Sequence, residues 1–205
     1  MEKKKWIVRL AALAVIAAAI AGHYLLDPWG FYYKVSPQEE AARLRLVAAA
    51  QRYLGCNEAD GSYLAILERY NAQPVLPQNY TLQSADSWCA AFGSVCAIDA
   101  GLEEIIPLEC GCQRQIGLWQ ALDRWEEDDN SVPLPGDYIY YDWDWKRPGD
   151  CTGWADHVGI VVGVKWPFVK VIEGNRNDQV CYRVIPLGHL SIRGYGRPDF
   201  AGSAP

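Results

Sequence analysis

Histidine is scarce in this sequence, with three in 205 residues at positions 23, 157 and 189. It is the side chain whose unperturbed pKa lies nearest neutrality, so acid–base chemistry beyond the N-terminal segment has two imidazoles to draw on. Basic charge is short as well, 19 Lys and Arg standing against 25 Asp and Glu. Setting aside residues 1–21 removes four of the basic residues and one of the acidic ones and leaves a net charge of −9. A phosphate backbone rewards basic surfaces, which argues against nucleic acid as a partner. The chain has no internal repeat, and no low-complexity stretch apart from its N-terminal segment and a short tail over 201–205. What is plentiful is apolar and aromatic material: half of the residues are hydrophobic and nine are Trp, enough to bury the core of one domain.

Lys3, Lys4 and Lys5 precede a charge-free apolar run over 10–21, the pattern of an export signal. Ala19-Ile20-Ala21 fits a small-x-small cleavage site. The apolar stretch continues to Leu26, however, and residues 6–26 are long enough to span a bilayer, so an uncleaved anchor is favoured over a removed signal peptide. Its lysines would stay on the cytoplasmic side and the domain outside. The expected organisation is a signal-anchor or signal peptide over 1–26, a linker over 27–35, one domain over 36–200 and the tail. Seven cysteines in an exported chain suggest disulfides, and the odd number leaves at least one thiol unpaired within the monomer. Bridges among Cys56, Cys96, Cys110, Cys112, Cys151 and Cys181 have many connectivities, and sequence does not choose between them.

Ser36-Pro37-Gln38-Glu39 is a capping box with Pro at the first helical position; a helix follows over 41–54 and stops at Gly55. A second helix is expected over 63–70, a third over 88–100 with Asp86 or Ser87 as cap and Gly101 as terminator, and a fourth over 113–125. One face of the third helix carries Cys89, Phe92, Gly93, Cys96, Ala97 and Ala100, mostly small side chains suited to close approach to a sheet. From Pro135 onward the pattern changes to β-rich runs over 138–141, 157–164, 168–173, 180–185 and 192–195. Helices followed by a strand meander predict an α+β fold with helices packed on an antiparallel sheet.

His157 heads one of these strands, and the next ends at Glu173-Gly174-Asn175. A hairpin folded about Trp166 sets His157 opposite Asn175 and diagonal to Glu173, or, shifted by two residues, opposite Glu173; in either register the three share a face. An imidazole beside a carboxylate or amide is the base-plus-orienter pair that a nucleophile needs, though it is equally an ordinary cross-strand polar pair. Cys89 supplies the nucleophile, because the first turn of a helix aims free N–H groups at its sulfur and favours the thiolate. A buried or disulfide-bonded Cys89 is the bland alternative. His189 reads as a loop histidine at the surface. A zinc site would be sought at Cys110-Gly111-Cys112 near Cys151 or His157, although that spacing is not a zinc knuckle. Calcium could use Asp142 and Asp144, or Asp128 and Asp129. Trp119, Trp125 and the aromatics of 138–145 could line a groove, but core is the commoner fate.

Five segments, in order, resemble the CHAP domain, the cysteine, histidine-dependent amidohydrolase/peptidase family akin to NlpC/P60 peptidases. They are Ser87-Trp88-Cys89-Ala90-Ala91-Phe92, the run from Pro135-Gly136-Asp137 to Trp143, Asp156-His157-Val158-Gly159-Ile160-Val161, Val171-Ile172-Glu173-Gly174-Asn175 and Ile192-Arg193-Gly194-Tyr195-Gly196-Arg197-Pro198. The resemblance implies a papain-like α+β fold and hydrolysis of a peptidoglycan amide bond, as an N-acetylmuramoyl-L-alanine amidase or an endopeptidase. It implies Cys89 as nucleophile, His157 as base and then acid, Glu173 as orienter of the imidazole and Asn175 as polar support, with no cofactor or metal required. The six further cysteines exceed what such chemistry needs. No appended wall-binding module is expected, so proximity to the wall would come from the anchor. The competing expectation is a non-catalytic wall-binding or scaffold module, stabilised by disulfides, with Cys89 oxidised or occluded and Trp88, Trp143 and Trp145 stacking on sugars.

Overall fold

The computed structural model describes residues 34–147 and 149–202, with Trp6 and Ala14 as isolated helical positions. Apart from those two, the expected signal or anchor over 1–26 lies outside the described residues, as do most of the linker and the end of the tail. Among the described residues no helix is long and apolar enough to cross a membrane.

Helix α1 (Pro37–Gln51) starts where the capping signal predicts: the Ser36 side chain accepts from the Glu39 backbone N–H at 3.1 Å, with Pro37 in the first turn. The Glu39 carboxylate does not complete the expected box but accepts from Arg43 Nε at 2.8 Å. Arg43 is buried, and donates also to Asp137 Oδ1 at 2.7 Å and to the Pro135 carbonyl at 3.1 Å, so one side chain ties α1 to the entry of strand β2 (Tyr138–Tyr141). Such a pair is retained because every charge in it is matched; removing one partner would strand the other in a dry site.

Helices α2 (Leu64–Asn71), α3 (Cys89–Ala100) and α4 (Cys112–Ala121) follow. Neither expected cap of α3 is used: Trp88 occupies the N-cap without a side-chain bond, and Asp86 instead accepts from Gln83 N and Tyr80 Oη. Gly101 ends α3 in the left-handed region at φ 64°, as its position predicts. Helix α4 is shorter than its expected span, because Asp123 turns the chain at φ 55° and Trp125–Glu126 becomes β1, an edge strand that periodicity alone did not reveal.

The remaining strands are β3 (His157–Lys165), β4 (Phe168–Glu173), β5 (Cys181–Pro186) and β6 (Ile192–Gly196). They form one antiparallel sheet in the order β1-β6-β2-β3-β4-β5, so helices and an antiparallel sheet share the domain as α+β. Alternation along β2 sends Tyr138 and Tyr140 into the larger core with Phe92, Val95, Ile160 and Ile172, and sends Ile139 and Tyr141 into a smaller cluster on the opposite face with Val161, Val171 and Tyr195. Close packing of α3 on β2 depends on Gly93: its carbonyl accepts from Tyr138 Oη at 2.8 Å, and a Cβ there would stand 2.8 Å from Tyr138 Cε1.

Gly93→Ala should therefore destabilise the fold by about 1–3 kcal/mol through overpacking, outweighing alanine's helix advantage of about 1 kcal/mol. Urea unfolding should show a lower midpoint at an unchanged slope.

Candidate active site

Two helix starts and the ends of two strands converge at one place in the fold, and the helix starts line a cleft there. Cys89 is the first residue of α3, and Cys112 is the first residue of α4. Their sulfurs lie 3.5 Å apart. His157 opens β3 beside Cys89, and Glu173 closes β4 with no exposed surface. A cleft of about 240 Å³ reaches the pair of sulfurs; Trp154, 71% exposed, and Asp156 stand on its wall.

The placement of Glu173 depends on a β-bulge. Beside the turn the β3–β4 hairpin pairs Lys165 with Phe168 and Gly163 with Lys170; beyond the irregularity between Val161 and Gly163 it pairs Val161 with Val171 and Ile160 with Ile172. Continuing that second register sets Gly159 across from Glu173, on the same face as His157. The absence of a side chain at Gly159 makes room for the carboxylate's stem: a Cβ there would lie 2.7 Å from Glu173 Cγ. Gly174 does the same toward α3, where a Cβ would lie 2.5 Å from Phe92 Cβ and 2.9 Å from Trp88 Cζ3.

Glu173 Oε2 approaches His157 Nε2 at 3.3 Å without the alignment of a hydrogen bond, an ion-pair contact when the imidazole is charged. Its other oxygen accepts from Arg183 Nε at 2.6 Å, and Arg176 Nε lies 3.5 Å from Oε2. Burial pushes the Glu173 carboxyl up, but His157 and Arg183 outweigh it and hold the group below its ordinary value. Burial likewise pushes His157 down, and the hydrogen bond with Cys89 together with the charges of Cys89 and Glu173 overcome that, raising it to about 9. Cys89 is held well below the ordinary thiol value, first by hydrogen bonding from Cys112, against the upward push of burial, and then by His157 and the Ala90 backbone N–H. Cys112 is pushed well above its ordinary value by Cys89 and by burial. The resulting state is a Cys89 thiolate beside a His157 imidazolium, with Cys112 a protonated donor.

Aromatic rings back the imidazole. Tyr141 stacks on His157 with centroids 6.0 Å apart and on Trp143 at 4.6 Å, and the Arg183 guanidinium lies 4.6 Å over Trp143. Asn175 is not drawn in: it follows the strand at φ 55°, where strand alternation no longer applies, and among the described residues its side chain makes no hydrogen bond. His189 is exposed and bonded to Ser191 in its loop. Arg183 and Arg176 are residues that sequence reasoning did not place here, and Cys112, considered only for a disulfide or a zinc site, enters instead as a thiol against Cys89. The signal that could have found Arg183 is the alternation of β5, which puts it beside Val171 in the pairing, two residues along β4 from Glu173 and on the same face.

All seven cysteines are free thiols in this structure, against the expectation of disulfides. Among the described residues, three His, Cys, Asp or Glu ligand atoms gather only at Asp128, Asp129 and Asp150, so the sought cluster of Cys110, Cys112, Cys151 and His157 does not form. Asp129 there already accepts from Asn130 Nδ2 and the Cys151 N–H. Asp142 caps a turn through the N–H groups of Asp144 and Trp145. A second cavity, about 280 Å³, lies by Arg43, Asp137 and Arg197; its charges pair with one another and it holds no nucleophile.

No family model and no curated protein matches the chain. Solved structures similar to it include an NlpC/P60 family protein from Bacillus cereus, with a TM-score of 0.44 and 15% identity, over 76% of this chain and 39% of that one. Another is a protein described as similar to lipoprotein, NLP/P60 family, from Staphylococcus aureus, with a TM-score of 0.43 and 16% identity, over 87% of this chain and 47% of that one. The chain spans less than half the length of either.

The imidazolium's favourable interactions are fully present below its ordinary pKa of 6.5 and are lost as pH rises through about 9. An NMR titration of His157 should give an apparent value near 9, and Glu173→Gln should lower it. Equal values in the two proteins would remove the carboxylate from the electrostatics of the site. Iodoacetamide should alkylate Cys89 at mildly acidic pH, and His157→Ala should suppress that reaction by raising the thiol's pKa.

Proposed function

We propose that the chain is an exported, wall-associated thiol hydrolase that cleaves an amide bond of peptidoglycan, as an N-acetylmuramoyl-L-alanine amidase or an endopeptidase. Its helix-borne thiol and sheet-borne imidazole would correspond to a papain-like arrangement. The observation that carries the chemistry is the low-pKa thiol of Cys89 at a helix start, beside an imidazole that is itself held by a buried carboxylate. The choice of substrate rests on the ordered CHAP-like segments, and the location on the export signal.

The steps follow from the charges. The Cys89 thiolate attacks the carbonyl carbon, and the oxyanion that forms is met by free N–H groups of the first turn of α3. His157, as imidazolium, gives its proton to the departing amine as the C–N bond breaks, leaving a thioester on Cys89 and a neutral imidazole. The neutral imidazole then takes a proton from water as its oxygen attacks the thioester, and the acid product leaves with Cys89 restored as a thiolate. Glu173 touches no reacting atom in this scheme; it positions the imidazole and stabilises its charge. Asn175 is assigned no step. The reading as a binding module finds little support, since Cys89 is a free thiol and not oxidised, and Trp88, one of its sugar platforms, is fully buried with its Nε1 donating to Glu58.

The test is a mass spectrum of fragments released from purified peptidoglycan by the full-length chain in mild detergent, beside Cys89→Ala. A Cys89-dependent peptide with a new L-alanine amino terminus is the expected product of the amidase, and a cut elsewhere in the stem or bridge that of the endopeptidase. No Cys89-dependent release from several wall types, with the thiol reduced, would sink the reading. Release should also fall as pH rises through about 9, because the imidazolium that protonates the leaving amine is lost.

A further inference from the structure

The thiol of Cys112 touches the proposed nucleophile yet takes no part in bond making or breaking in the hydrolytic steps. We propose that Cys112 is a resolving thiol that closes a disulfide with Cys89, switching the hydrolase off in the presence of a disulfide oxidant and reopening on reduction. This rests on the reading of Cys89 as the nucleophile and adds a regulation to the same site.

Geometry is the first support. The sulfurs stand 3.5 Å apart, and a disulfide bond needs about 2.05 Å, so about 1.5 Å of approach is enough. Both residues begin helices, so small side-chain rotations can supply the approach without breaking a helical turn. Access is the second. Each residue is largely buried, but both line the cleft of about 240 Å³, the route by which a small-molecule disulfide would reach the Cys89 sulfur. The third is an asymmetry of the two thiols. Cys89 is the ready thiolate and Cys112 the protonated reserve, the division of labour that thiol–disulfide exchange requires. The other candidates are less well placed. The Cys110 sulfur is engaged with Glu109 Oε1 at 3.5 Å and with Gln78 Nε2 at 3.8 Å, and Cys96 lies seven residues further along α3, fully buried.

The reaction balances with a small-molecule disulfide as oxidant. The Cys89 thiolate attacks one sulfur of glutathione disulfide, forming a mixed disulfide and releasing one glutathione thiolate. Cys112 then gives up its proton to that thiolate and attacks the Cys89 sulfur. The bond to the second glutathione breaks and the Cys89–Cys112 bond forms. One protein thiolate and one protein thiol are oxidised, and one glutathione disulfide is reduced to one thiol and one thiolate, the latter carrying the charge that began on Cys89. With Cys89 in the bond, no nucleophile remains.

The full-length chain in mild detergent would be equilibrated in reduced and oxidised glutathione buffers, quenched in acid, alkylated and mapped by peptide mass spectrometry. Wall-fragment release would be measured on the same samples. The expected result in oxidising buffer is a peptide cross-linked between Cys89 and Cys112, no glutathione retained on Cys89, and complete loss of release that dithiothreitol restores. Cys112→Ser, with Cys112→Ala as its companion should the first fold poorly, should instead keep glutathione on Cys89, and Cys110→Ser should still form the cross-link. The inference is overturned by wild-type protein that retains glutathione on Cys89, or by a cross-link to Cys110. A reduced protein that releases wall peptides but forms no Cys89–Cys112 bond overturns the switch alone and leaves the hydrolase standing. A cross-link in a protein whose reduced form releases nothing retires the hydrolase reading, and the switch with it.

Discussion

A carboxylate with no exposed surface stays ionised only if its neighbours replace the water it has lost, since an unpaired buried ion costs several kcal/mol even after relaxation. At Glu173 the replacement is shared among Arg183 at 2.6 Å, His157 at 3.3 Å and Arg176 at 3.5 Å. Much of the C-terminal half of the site is arranged around that need. Arg183 is delivered by β5, so the β4–β5 pairing belongs to the site although β5 is the far edge of the sheet. The same guanidinium covers Trp143, whose ring continues through Tyr141 to the imidazole. The ring of His157 is thus held by charge through Nε2 and by aromatic packing on its face.

The second requirement is distance, and it is met by what is missing. Gly93 lets α3 settle against Tyr138, Gly174 lets the end of β4 pass Phe92 and Trp88, and Gly159 leaves space for the stem of Glu173. A methyl group at any of these positions would stand closer than 3 Å to its neighbour, and the core offers little slack because protein interiors are packed as densely as organic crystals. The thiol of Cys89 and the imidazole of His157 stand 68 residues apart in the chain, and their meeting depends on these three close approaches.

Patterns that are local in the chain were legible in advance. The Ser36 cap, the Gly101 stop and strands β2 to β6 each follow from a few consecutive residues, and the placement of His157 and Glu173 on one face followed from strand periodicity. What escaped the reading depends on contacts that no local pattern encodes. Cys112 meets Cys89 because two helix starts 23 residues apart converge, and nothing in the C-x-C spacing says so. Strand β1 is two residues long and exists because β6 pairs with it. Asn175 was placed by extending strand alternation through a residue that leaves the strand with positive φ. Arg183 looks like a solvent-facing cation on an edge strand until the buried charge it answers is known.

The irregularity between Val161 and Gly163 divides the β3–β4 hairpin into two lengths of ladder whose pairings differ by one residue. Had the register beside Trp166 run unbroken, Ile160 rather than Gly159 would oppose Glu173, and the carboxylate would lie on the opposite side of the sheet from the imidazole. One residue of chain length, inserted about midway along a strand, therefore acts as a parity setting for the site. Pairs of residues can be gained or lost between the bulge and the hairpin tip without disturbing it, whereas an odd change inverts it. The end of the sheet that holds His157 and Glu173 is insulated from the length of its hairpin but not from whether that length is odd or even.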